Sequence, residues 1–200
     1  MPATPFPNPP EDDWNTLAPR AWSSLTDEEK LRRLRATFHH AVIGEMRRSL
    51  PCIKIGTALL AFCGLDFLGA LAAGERATGK TFKVFCTNYL LRVEVRYSCD
   101  RLWTARCHLV HTYSMKGGYS IAWQQPGVPS MHLRRPSEAP GHILELEQFI
   151  TDIETAGEAL FVTAASDTAL LTKMLTFADL APPTSFGTAT IHYQTTTGYP

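Results

Sequence analysis

The sequence has no surplus of charge. Nineteen Lys and Arg meet nineteen Asp and Glu, and the pI is about 7.0. Bulk charge therefore excludes a histone-like or polybasic nucleic-acid binder. There is no C-x-x-C pair. The five cysteines, Cys52, Cys63, Cys86, Cys99 and Cys107, are odd in number, and three lie in apolar runs. Free, mostly buried thiols in a reducing compartment follow. An uninterrupted apolar run of about eighteen residues is also missing. The stretch from Ile55 to Ala73 is broken by Gly56, Thr57, Gly64, Asp66 and Gly69. It reads as a buried helix, and no membrane partner is expected. The opening residues MPATPFPNPPEDDW carry no basic region followed by an apolar one. No secretory signal is read there, and the cytoplasm is the expected compartment. No internal repeat is found.

What is present is a globular composition, with 44% hydrophobic residues, enough for a real core. The neutral total hides an asymmetry. Residues 92–135 carry seven basic residues against Glu94 and Asp100, whereas residues 136–200 carry Lys173 against eight acids. A basic middle could hold a phosphate ligand, or the two blocks could neutralise each other across the fold.

The pattern of apolar residues gives the organisation. Residues 1–25 read as a flexible arm, with five prolines in residues 2–10. Residues 26–180 read as one helical domain. Thr26 followed by Glu29 is a capping-box pattern. From there Leu31, Leu34, Phe38, Val42, Ile43 and Met46 fall at helical spacing, which predicts a helix over 27–50. Pro51 is expected to open the next helix, apolar nearly all round over 52–73 and stopped at Gly74. A third helix is expected from Thr81 to about Leu91 and a fourth from Ser98 or Asp100 to about Tyr113. Lys116-Gly117-Gly118 reads as a turn. Short strands at 119–124 and 131–134 around Gln125-Pro126-Gly127 predict a β-hairpin insertion over 119–134. A helical stretch over 142–177, one helix or two, completes the domain. The Thr-rich tail 181–200 offers one strand at 190–194. The expected fold class is all-α, a bundle of about five helices with a small β-hairpin insertion.

Two motifs bear on chemistry. Gly74-Glu75-Arg76-Ala77-Thr78-Gly79-Lys80-Thr81 matches G-x-x-x-x-G-K-[ST], the phosphate-cradling loop. That loop needs a buried strand leading in. The preceding Leu68–Ala73 segment is Ala/Leu/Gly-rich, so a polar interhelical loop is the competing reading. The second motif is Arg106-Cys107-His108-Leu109-Val110-His111-Thr112-Tyr113, which contains R-x4-H-x-Y at a helix end. On one helix Arg106 and His111 point roughly 140° apart, so a long arginine or a second copy must join them. Histidine can exchange the proton of a ribose 2′-OH, arginine can stabilise a pentacoordinate phosphate, and tyrosine can position phosphate or base. The competing reading is a histidine at a helix C-terminus and an arginine in a surface ion pair. A basic side of the first helix, with Arg32, Arg33, Arg35, Arg47 and Arg48, reads either as a solvated face or as an RNA-backbone track.

The Arg101–Tyr113 segment resembles the HEPN superfamily of helical bundles, whose ribonuclease members carry R-x4-6-H. The R-x4-H-x-Y form is similar to that of HEPN toxins in two-gene toxin–antitoxin modules. The resemblance implies a homodimer with facing motifs and metal-independent cleavage of RNA, with no cofactor. It implies His111 as general acid/base, Arg106 as phosphate stabiliser, Tyr113 as positioning group and His108 as an accessory. A toxin or phage-defence setting, with an antitoxin or regulatory protein as partner, belongs to the same resemblance. Active members usually carry a polar residue after the arginine; here it is Cys107. A non-catalytic HEPN-like module that binds RNA or protein is therefore the alternative.

Overall fold

A computed structural model describes residues 11–135, 141–180 and 182–183. The described chain is mostly helical, as expected. Glu11–Leu17 forms α1, and a short 3-10 turn, Trp22–Ser24, follows. The arm expected over residues 1–25 is thus partly folded. Leu17 and Leu25 are buried, and Asp13, 5% exposed, pairs with Arg32 of the next helix. The apolar residues near Trp14, not visible as a helical repeat in so short a piece, anchor it. Residues 1–10 and the strand expected at 190–194 lie outside the described residues.

The helix predicted over 27–50 forms as α2. Asp27–Thr37 passes through a π-helical stretch, Phe38–Ile43, into Gly44–Ser49. Thr26 Oγ1 accepts the Glu29 N–H at 3.2 Å, and Glu29 Oε2 accepts the Thr26 N–H at 2.9 Å. Two otherwise orphaned donors of the first turn are satisfied together. Leu31, Leu34, Phe38, Ile43 and Met46 are all buried, as their spacing predicts.

Pro51 does not open the next helix. The N–H groups of Cys52 and Ile53 both return to the Ser49 carbonyl, at 3.0 and 2.8 Å. The segment therefore closes the end of α2, and α3 begins at Lys54 and runs to Ala73. Gly74, at φ 73°, ends it in the left-handed conformation that glycine adopts without strain. By length and composition α3 could cross a bilayer, yet 61% of its most apolar window is buried inside the fold. It is the central element. It packs against α2, against α4 (Gly79–Phe85, continuing through a π-helical Cys86–Leu90 into Leu91–Val93), against α5 (Cys99–Thr112), α6 (Leu146–Ser166) and α7 (Thr168–Leu180).

The hairpin expected over 119–134 is not formed. Instead β1 (Tyr119–Ala122) pairs in parallel with β2 (His142–Glu145), Tyr119 opposite His142 and Ala122 opposite Glu145. The residues read as the second hairpin strand meet β2 rather than β1. Leu133 N–H donates to the Ile143 carbonyl at 2.7 Å, and Ile143 N–H to the Arg134 carbonyl at 2.9 Å. Leu133 holds φ 57° there, so the segment crosses β2 as a kinked turn. Parallel pairing needs a long connection, and 123–141 supplies it. The helical stretch read over 142–177 accordingly starts at Leu146 and divides at Asp167, whose Oδ1 accepts the Ala169 and Leu170 N–H groups.

Candidate active site at the end of the fourth core helix

Ser98 caps α5 by accepting the Arg101 N–H, and the helix ends at Tyr113, a non-glycine residue at φ 51°. The R-x4-H-x-Y motif occupies its last two turns. Arg106 turns inward. Its Nε and Nη2 donate to Asp66 Oδ2 on α3 at 2.9 and 2.7 Å. Its guanidinium lies 5.2 Å from the centre of the Trp103 ring. The arginine side chain remains 22% exposed, against 12% for Asp66. Burial pushes the Asp66 carboxyl above its ordinary range, and Arg106 pulls against that. Burial opposes the charge on Arg106, but the Asp66 contact outweighs it and holds its pKa above the ordinary value.

His111 and Tyr113 face solvent, and Tyr113 is 73% exposed. His108 is half-buried, and its carbonyl accepts the Thr112 hydroxyl at 2.7 Å. Among the described residues no hydrogen bond joins Arg106 to His108, His111 or Tyr113. One chain thus presents the arginine on one side of α5 and His111 on another, as the helical period requires.

The G-x-x-x-x-G-K-[ST] match resolves against a phosphate cradle. The segment leading into Gly74 is α3, not a strand. Thr78 and Thr81 form a reciprocal cap at the start of α4, and Thr81 is 1% exposed, out of reach of a metal–nucleotide complex. The motif here is a helix start.

Among the described residues no Lys or Arg of the basic block forms an ion pair with an acid of the C-terminal block. Acids of the C-terminal block pair with α2. Arg35 binds Glu158 at 2.8 Å, Arg47 binds Glu154, His39 touches both, and Lys30 meets Asp179 at 3.1 Å. Arg32 is taken by Asp13 and Arg48 by Glu45. Arg33 is buried and donates to the Arg20 and Pro183 carbonyls. The basic side of α2 is therefore largely engaged within the fold. In the basic middle, Arg101, Arg134 and Arg135 form no ion pair among the described residues.

A second polar site went unseen in the sequence. Tyr97, His132 and Asp152, each at most 6% exposed, form a chain. Glu145 N–H donates to His132 Nδ1 at 3.2 Å, which leaves the hydrogen on Nε2. His132 Nε2 then donates to the Tyr97 oxygen at 2.9 Å, and Tyr97 O–H donates to Asp152 Oδ2 at 2.7 Å. His132 and Asp152 border a cavity of about 370 Å³ that Arg96 and Arg134 also line. The members lie 35 and 55 positions apart, so no local spacing signals them. Among the described residues no group of three or more His, Cys, Asp or Glu is placed to hold a metal. Comparison of the chain with protein-family models, with curated proteins and with solved structures gives no match.

Proposed function

We propose that this protein is a HEPN-like ribonuclease that works as a homodimer in the cytoplasm. One observation carries the reading. An Arg, a His and a Tyr in R-x4-H-x-Y spacing end a core helix whose last residues are exposed, with the arginine held in place by Asp66 and Trp103. In the reaction His111 takes the proton of a ribose 2′-OH. The freed oxygen attacks the adjacent phosphorus, and the bond to the 5′-oxygen breaks. The 5′-oxygen leaves with a proton from a histidine, and a 2′,3′-cyclic phosphate remains. Arg106 stabilises the charge that gathers on the phosphate, Tyr113 positions the strand, and His108 assists. Because Arg106 and His111 diverge on α5, the arginine of one protomer serves the histidine of the other across a dimer cleft. A toxin or phage-defence role with an antitoxin or regulatory partner accompanies this reading.

The test is a cleavage assay on a mixed RNA pool in EDTA, with the His111→Ala variant alongside. Cyclic-phosphate fragments from the wild type alone support the nuclease. Intact RNA with both proteins, and a dimer by light scattering, overturns it. Cys107 after the motif arginine, with the balanced net charge, favours a second reading, a non-catalytic dimeric HEPN-like module. In that case His111→Ala leaves RNA or partner binding unchanged, while substitutions at the dimer surface abolish it.

A further inference from the structure

A small basic pocket lies between α5, the turn before β1 and the start of β2. It is lined by Arg101, Gly117, Gly118, Arg135, Gly141 and His142 and encloses about 180 Å³. That is below the roughly 300–1,000 Å³ of sites that enclose a whole small molecule. The pocket suits one chemical group rather than a cofactor.

Among the described residues its lining has one sign of charge. Arg101 and Arg135 are exposed and unpaired with any carboxylate among the described residues. Arg101 Nη1 lies 3.5 Å from His142 Nδ1. Arginine only donates, so Nδ1 accepts and Nε2 is left as a donor. Three side chains thus offer N–H groups, and none offers a negative charge. The backbone comes unusually close. A Cβ on Gly141 would stand 2.1 Å from the Gly118 carbonyl oxygen, and one on Gly117 would stand 2.5 Å from that of Arg101. Only glycine allows this packing, and it leaves the pocket floor free of side chains. The His142 N–H donates to Gly118 O at 2.8 Å and fixes the floor to β2.

We propose that this pocket binds one backbone phosphate of the RNA strand, gripped by Arg101, Arg135 and His142. The inference rests on the RNA reading above and deepens it. Arg101 sits on the same helix as His111, ten residues earlier, roughly 15 Å back along the axis and about 80° round it, nearer in direction to the histidine than to Arg106. A strand held there is led along α5 toward His111. The basic segment 92–135 then has a use that the balanced net charge conceals.

The experiment measures binding of a fluorescent 2′-O-methyl oligoribonucleotide, which lacks the attacking hydroxyl and stays intact. Anisotropy titrations across a range of salt compare the wild type with Arg101→Gln/Arg135→Gln. Both side chains are exposed, so the thermal midpoint should hold, and Arg101→Lys/Arg135→Lys controls for charge. The glutamine variant should bind roughly tenfold more weakly. Its salt slope should shrink by about 0.7, the share of one phosphate on a single strand. The lysine variant should keep the wild-type slope. An unchanged slope and affinity in the glutamine variant overturns the proposal, as does a wild type that does not bind the oligonucleotide. Inorganic phosphate that binds the wild type and not the glutamine variant, with RNA affinity equal in both, assigns the pocket to a free phosphate and also overturns it. Cleavage of ordinary RNA is scored separately. A protein that cuts nothing but shows the altered slope loses the nuclease and keeps the pocket. A protein that cuts normally with an unaltered slope loses the pocket alone.

Discussion

Arg106 and Asp66 stand 40 positions apart, yet two nitrogens of the arginine donate to a single carboxylate oxygen, at 2.9 and 2.7 Å. The pair ties α5 to α3 and fixes the direction of the guanidinium. It also partly neutralises the arginine.

Asp66→Ala removes one partner and leaves the other charge in a site that is only partly wet. Breaking a fully buried pair this way costs about 3–5 kcal/mol. With 22% and 12% exposure the expected loss is about 2–3 kcal/mol, read from the urea midpoint. Asp66→Asn should lose less, because an amide oxygen still accepts. A change below about 0.5 kcal/mol for the alanine variant would mean that the pair does not hold the two helices.

His39 makes stability depend on pH. Burial opposes its charge, but hydrogen bonds to Glu154 and Glu158 outweigh burial and raise its pKa above 6.5. A group whose folded pKa is raised contributes fully below the unfolded value. Its contribution fades as pH rises through the folded value. The difference in urea midpoint between the wild type and His39→Gln should therefore be largest near pH 6 and shrink above it. A difference that stays flat from pH 6 to pH 9 contradicts the assignment.

Cys99 should be the reactive thiol. A hydrogen bond from Cys86 brings its pKa down to about 6, helped by Thr87, whose Oγ1 lies 3.6 Å from the sulfur. Burial pushes Cys63 the other way, although Cys63 is the more exposed of the two. Iodoacetamide at pH 6.5, followed by peptide mass spectrometry, should modify Cys99 before Cys63. The reverse order would show that exposure governs here.

Tyr97→Phe deletes the hydroxyl between His132 and Asp152. Asp152 would then keep Gln148 Nε2, at 2.8 Å, as its main donor. A hydrogen bond to a charged group contributes roughly 1.5–3 kcal/mol, and that is the expected loss in chemical denaturation. A neutral substitution would show that water replaces the hydroxyl in the neighbouring cavity.

The helices were legible because each signal was local. Thr26 and Glu29 mark the start of α2 and Gly74 the end of α3, while Ser98 and Asp100 both offer a start for α5, of which the fold uses Ser98. The parallel strand pair was not, because its partners are joined by a long connection. His142–Glu145 runs without a break into the apolar period of α6, so it reads as helix. Pro126-Gly127 suggests a local turn that the chain uses differently. The same divide runs through the sites. The Arg106–Tyr113 motif is contiguous and was found, whereas its carboxylate partner lies on an apolar helix. Tyr97, His132 and Asp152 each look ordinary until the fold brings them together.

Asp66 also matters before the fold exists. During synthesis α3 emerges as a 20-residue segment apolar enough to enter a bilayer, while Arg106 has yet to be made. An aspartate near the centre of such a segment costs about 2.5–3.5 kcal/mol for insertion. The unpaired carboxylate thus weighs against diversion of the nascent chain into lipid. The arginine made 40 residues later supplies the partner that lets the same helix be buried in protein.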